Sequence, residues 1–203
     1  MRLDKTTMLT ALIAISATLS AGTLAAQAPA KEMFGIEAGQ TPVLETSVGY
    51  NYLHANAPPG QCGCFSANGG YGSIVFNMPR NLSIVADLSA THANNISSTT
   101  QSVTIFNYLF GPRYTLRSMS RRYTPYAQIL GGGSHESSSY AAVQGVSGGA
   151  LSVGGGISTT INRHFSWTIV EADWIHSWLP NAQNNLQNDL LIGTAITFRL
   201  GPR

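Results

Sequence analysis

The chain has 203 residues, a formal net charge of +2, and 10% charged against 43% hydrophobic residues. Charge that sparse excludes an ordinary soluble domain, where about a quarter of residues are charged, and +2 gives no footing for nucleic acid or an acidic substrate. With a mean hydropathy of +0.04 and no apolar run of the ~20 residues a membrane helix needs, the composition is left to strands with one greasy and one wet face.

Taken in chain order, Arg2 and Lys5 open a short basic start diluted by Asp4, and an apolar run follows from Met8 to Leu19. The small residues Ala21 to Ala28 then offer Thr23-Leu24-Ala25 or Ala26-Gln27-Ala28 as a cleavage motif, and Pro29 favours the first. This predicts a signal peptide over 1–28, cleaved between 25 and 30, with no Cys nearby to make it a lipoprotein signal. A linker over 29–42 precedes a single domain, 43–203, of one-domain length.

That domain alternates with a step of two. In the first predicted strand, 43–53, Leu44, Thr46, Val48, Tyr50 and Tyr52 share one side and Glu45, Ser47, Gly49 and Asn51 the other. A polar loop, 54–68, carries Pro58, Pro59, Cys62 and Cys64 before strand two at 70–78 and a tight turn at Pro79-Arg80-Asn81. Strand three, 82–92, puts Ile84, Ala86, Leu88 and Ala90 opposite Ser83, Asp87, Ser89 and Thr91. Strand four, 103–116, opposes Phe106, Tyr108, Phe110 and Tyr114 to Asn107, Gly111, Arg113 and Thr115, and Pro112 within it predicts a bulge or kink. Strand five, 125–134, has no readable parity, because Gly131-Gly132-Gly133 prefers neither face. Strand six, 150–161, separates Leu151, Val153 and Ile157 from Ser152, Ser158 and Thr160. Strand seven, 165–178, carries Val170, Ala172, Trp174 and Trp178 against Glu171 and Asp173, and strand eight runs over 190–200. Odd connections read long and even ones short, the asymmetry of barrels that cross an outer membrane.

A bilayer tolerates a sheet only when it closes and leaves no edge. The fold expected is therefore all-β: a transmembrane antiparallel up-and-down β-barrel of about eight strands, apolar outside and lined by Ser, Thr, Asn and Gly. Tyr52, Tyr114, Trp174, Trp178 and Phe198 fall near strand ends, where aromatic girdles meet the interfaces.

The chain resembles the small outer-membrane β-barrels of the OmpA-like transmembrane domain superfamily. The resemblance is carried by Val48-Gly49-Tyr50-Asn51-Tyr52, Val85-Ala86-Asp87-Leu88, Phe110-Gly111-Pro112-Arg113-Tyr114, Thr124-Pro125-Tyr126, Gly154-Gly155-Gly156-Ile157, Glu171-Ala172-Asp173-Trp174, Gln183-Asn184-Asn185 and Ile196-Thr197-Phe198-Arg199-Leu200-Gly201. It implies a location in the bacterial outer membrane, with lipid and lipopolysaccharide, the insertion machinery and an unknown extracellular ligand as partners. Gly193, Ile196 and Phe198 have the spacing of an insertion signal, but Leu200-Gly201-Pro202-Arg203 follow it. No peptidoglycan-binding part is expected after strand eight.

Three groups of residues invite chemistry. Cys62 and Cys64, one residue apart on a loop facing an oxidising exterior, invite a small strained disulfide, with inter-chain pairing or free thiols as the alternatives. A metal there needs two further soft ligands and has only His54 nearby, so neither metal nor cofactor is expected. Glu45, Asp87, Arg113, Glu171, Asp173 and Arg199 all read as inward, where charges must pair, as a structural salt-bridge network or as the gate of a narrow ion path. His176-Ser177 with His135 and Glu136 raises lipid A chemistry, but adjacent strand residues point to opposite faces, and no enzyme is expected. The function expected is structural or surface interaction through the loops, with a small passive channel as the alternative.

Overall fold

The computed structural model describes residues 41–56, 64–96, 101–117, 123–139, 145–179 and 186–202. The expected signal peptide, the expected linker up to residue 40 and Cys62 lie outside the described residues. Eight strands follow in order: β1 (Pro42–Asn56), β2 (Cys64–Asn77), β3 (Leu82–Ala93), β4 (Val103–Thr115), β5 (Tyr123–Ser138), β6 (Val146–Thr160), β7 (Phe165–Ser177) and β8 (Gln187–Pro202). Each pairs antiparallel with its neighbour and β8 returns to β1, so the sheet is a closed barrel.

The side-chain alternation runs in the reverse sense to a water-soluble fold. Val48 is 71% exposed and Phe110 68%, while Asn51 and Ser83 are wholly buried. Every face assigned from the sequence in β1, β3, β4 and β6 stands, and the register now assigns β5. Tyr126, Gln128 and Leu130 point into the lumen, and Ala127 and Ile129 out of it.

Four features depart from the expectations. First, strands run further than the apolar pattern marks. His54 to Asn56 and Cys64 to Asn68 pair across β1 and β2, and His135 to Ser138 pair with β4 or β6, all within segments expected as loop. Polar outward residues there hide the strand from a hydropathy pattern, because backbone pairing does not need apolar side chains. The connections at the end opposite the chain termini shrink to 57–63, 94–102, 139–145 and 178–186, against 78–81, 116–122 and 161–164 at the terminal end. The asymmetry survives but is smaller than expected.

Second, Pro112 makes no bulge. The β4–β5 ladder passes from Phe110↔Gly131 to Arg113↔Gln128 in one register. Pro112 faces outward, and it loses a donor without inserting a residue. Third, the bulge is in β7. Thr168 pairs with Ala195 and Glu171 with Gly193, so Ile169 is an added residue. The Thr194 hydroxyl donates to the Thr168 carbonyl at 2.8 Å and accepts the Trp167 indole N–H at 2.9 Å. The extra residue lets Ser166 and Thr168 face inward together with Glu171 and Asp173, while Phe165 and Trp167 face out.

Fourth, the lumen is not uniformly polar. Leu53, Phe65, Ile105, Leu130, Ile175 and Leu191 are buried inside it, most of them toward the end opposite the termini. An eight-stranded barrel is just wide enough for its side chains to meet, so its axis needs no water and accepts an apolar filling.

Candidate functional site

The lumen holds a polar cluster at mid-height, centred on Glu171. Two strands bring residues to it across glycines. Tyr71 of β2 pairs with Gly49, where a Cβ would stand 2.5 Å from its ring, and its hydroxyl donates to Glu171 Oε2 at 3.2 Å. From the other side, Tyr126 of β5 pairs with Gly156, where a Cβ would stand 2.7 Å from its hydroxyl, and it donates to the same Oε2 at 2.6 Å. Gln128 reaches past Gly154 to donate to Glu171 Oε1 at 2.9 Å and Asp173 Oδ1 at 3.0 Å. The missing side chains on β1 and β6 are what allow residues on strands two or three apart to meet.

Arg113 completes the cluster. Its Nε and Nη2 donate to Gln128 Oε1 at 3.0 and 2.6 Å, and its guanidinium lies 4.0 Å from the centre of the Tyr126 ring. Gln128 thus stands between the cation and two carboxylates as a neutral bridge. Asp87 lines the small cavity beside it, together with Tyr71, Glu171, Asp173 and Leu109, about 20 Å³ in volume. That is room for about one water molecule.

All six charges expected in the lumen face inward, but the structure divides them. Arg113, Glu171 and Asp173 are joined through Gln128, and Asp87 borders the same cavity. Glu45 lies at the terminal end, where Asn77 Nδ2 donates to it at 2.9 Å and Asn77 Oδ1 accepts from Ser83 and Arg117. Arg199 stands opposite Glu45 in the β1–β8 register. Sequence reasoning missed Tyr71, Tyr126, Gln128 and Asn77. For Tyr126 and Gln128 the obstacle was the glycine run that left strand five without parity.

The five interfacial aromatics are on the outer face. Tyr52, Trp174 and Trp178 are exposed near the end opposite the termini, and Tyr114 and Phe198 lie near the terminal end. Phe198 packs against Phe165 at 5.3 Å between ring centres. Cys64 is a free, exposed thiol at the start of β2, on a strand and not a loop, and Cys62, its expected disulfide partner, lies outside the described residues. His176 faces out between Trp174 and Trp178, with ring centres 5.7 and 5.2 Å away, while Ser177 is buried on the lumen side. His135 likewise faces out, and Glu136 faces in to accept from Gln187 at 3.2 Å. The His–Ser–carboxylate arrangement of an acyl-transfer site is not assembled among these residues.

No family model matches the sequence, and no curated protein sequence matches it. Solved structures do. The attachment invasion locus protein Ail of Yersinia pestis aligns with a TM-score of 0.54 at 11% identity, over 78% of this chain and 99% of its own. Neisserial surface protein A aligns with a TM-score of 0.59 at 11% identity, over 77% of this chain and 96% of its own. Ail in complex with the heparin analogue sucrose octasulfate gives a TM-score of 0.53 at 13% identity, over 77% of this chain and 97% of its own. At such identities the likeness is one of fold: the chain has the eight-stranded closed barrel of small outer-membrane proteins.

Proposed function

We propose that this barrel is integral to a bacterial outer membrane, reached through the leader at 1–28, and acts as a structural or surface-interaction protein without enzymatic activity. The observation that carries the reading is the closed cylinder whose outward large side chains are apolar, among them Val48, Ile74, Leu88, Phe110 and Ile129. Such a surface is costly in water and suits hydrocarbon, and closure leaves no strand edge to satisfy. The outer-membrane insertion machinery and the surrounding lipid and lipopolysaccharide are the partners this implies.

Interaction then falls to the connections opposite the termini, the ones that face outward in barrels with short periplasmic turns. Ail has been crystallised with a heparin analogue, but here residues 57–63, 94–102, 139–145 and 178–186 contain no Lys or Arg. A polyanion is therefore a poor match for those segments. An uncharged, Ser- and Asn-rich surface recognises its partner through hydrogen bonds, without long-range steering.

The channel alternative is disfavoured by the apolar filling and by the water-sized cavity beside Glu171. Two experiments test the proposal. Detergent-extracted protein is expected to change gel mobility on heating, and proteinase K on intact cells is expected to cut within 54–68. Purified protein that stays monomeric and folded without detergent overturns the membrane reading. Steady conductance in planar bilayers, abolished in Arg113→Ala, overturns the closed lumen in favour of a channel.

A further inference from the structure

Four of the five histidines repeat one arrangement. His54, His92, His135 and His176 lie on β1, β3, β5 and β7, each on the outer face near the end opposite the termini. Each is directly paired with a polar residue on the following strand: His54↔Ser66, His92↔Thr104, His135↔Ser147 and His176↔Asn188. In every case the partner is 12 residues further on, and the ring uses Nδ1. The distances are 2.8, 2.7 and 2.8 Å for His92, His135 and His176, and 3.5 Å for His54. The hairpins thus place one imidazole each around the rim, a fourfold pattern that the sequence spacing alone does not announce.

The ring sits at the outer margin of an aromatic belt, with His176 between Trp174 and Trp178. Tyr52 and Trp174 lie two residues before His54 and His176 on their own strands. Phe106 pairs with His135, and Tyr108 covers Gly133, where a Cβ would meet its hydroxyl at 2.3 Å. Aromatic belts mark the boundary between hydrocarbon and head groups, so the histidines stand at that boundary.

Charge at this end is otherwise absent from the outer side. The four connections there contain no Lys, Arg, Asp or Glu, and Glu136 and Asp189 are buried on the lumen side. The titratable groups on the outer face beside the rings are Tyr52 and Cys64 near His54 and Tyr108 near His135; residues flanking His92 and His176 on the paired strands are not titratable. No carboxylate is positioned to neutralise an imidazolium. Because the rings stand on four separate hairpins, they do not converge on one metal ion.

We propose that this histidine ring binds the phosphate groups of anionic lipids in the leaflet facing the connections, and does so more strongly as pH falls. Nδ1 is held by the cross-strand partner, and in His54, His135 and His176 Nε2 has no hydrogen-bond partner among the described residues, leaving it for a phosphate oxygen. Histidine gains its proton between about pH 8 and 5, which makes Nε2 a charge-assisted donor; in His176, whose Nδ1 donates to the Asn188 amide oxygen, the neutral ring has no Nε2–H to offer. The inference rests on the membrane reading above.

The test reconstitutes the full chain and a variant with His54, His92, His135 and His176 all changed to Gln into vesicles containing a phosphate-bearing lipid or its dephosphorylated counterpart. Lipids retained after gentle detergent extraction are counted by native mass spectrometry at about pH 5.5 and 8, either side of the histidine transition. The wild type is expected to retain the phosphate lipid about fivefold better at the lower pH for each contact made, the scale of one cation at an anionic surface. The variant is expected to show no pH difference, and the single His→Gln variants at His54, His135 and His176, which test folding separately, a partial loss each, whereas His92→Gln, whose Nε2 is already bonded to Asn94, keeps most of the retention. Equal retention by wild type and variant, or equal retention of the dephosphorylated lipid, overturns the proposal. So does retention that millimolar inorganic phosphate abolishes, since free phosphate is then the ligand. Failure of both proteins to float with vesicles overturns the membrane reading and the ring with it; flotation with equal retention overturns the ring alone.

Discussion

Gln128 is the residue on which the lumen cluster turns, because it satisfies a buried cation and two buried carboxylates at once. Gln128→Leu leaves Arg113 without its side-chain acceptor and takes a donor from Glu171 and Asp173. The expected loss is about 3 kcal/mol, measured by urea unfolding of the bilayer-inserted barrel. Tyr71→Phe removes one hydrogen bond of 3.2 Å and is expected to cost about 1 kcal/mol in the same assay. The cluster also constrains glycines with no chemistry of their own. A valine at Gly156 displaces Tyr126 from Glu171 and is expected to destabilise more than Tyr71→Phe does. At the rim, the proposed Cys62–Cys64 bridge predicts no alkylatable thiol on intact cells; two labelled cysteines by mass spectrometry remove it.

Among the elements, β7 carries the least tolerant feature. Its added residue at Ile169 reconciles two stretches that would otherwise face opposite ways, since one extra residue inverts every side chain beyond it. Deleting Ile169 forces either Phe165 and Trp167 into the lumen or Glu171 and Asp173 out of it. The deletion variant is expected to lose heat-modifiable migration altogether. The outer faces of the other strands are tested more gently. Leu88, 54% exposed in the middle of β3, is expected to cost about 2–4 kcal/mol when changed to Arg if it contacts hydrocarbon. A cost near zero in bilayer unfolding contradicts a lipid-facing surface there.

Viewed whole, the molecule separates charge by position. Among the described residues, carboxylates face the lumen, and apart from Arg113 the arginines cluster toward the terminal end, at Arg80, Arg117, Arg163 and Arg199. The opposite end offers trypsin no site in its connections. Trypsin on intact cells is therefore expected to leave the chain whole, and on permeabilised cells to cut at the short connections. Cleavage on intact cells reverses the proposed orientation. The filled lumen and the polar cluster beneath it fit a rigid scaffold that holds its connections in place.

Alternation by itself determined the strand number, the outward residues of most strands and the inward direction of Glu45, Asp87, Arg113, Glu171, Asp173 and Arg199, because period two is a property of the chain alone. The barrel's closure decided the rest. Gln128 and Tyr126 acquired a face only through pairing with neighbours whose parity was readable. Ile169 became a bulge only against a partner strand, and Leu53, Phe65 and Leu130 became lumen filling only once opposite walls met. The four histidines became a ring for the same reason. Residues roughly forty apart in sequence reach one level only when strand register sets their height, and register is a relation between strands that no single strand encodes.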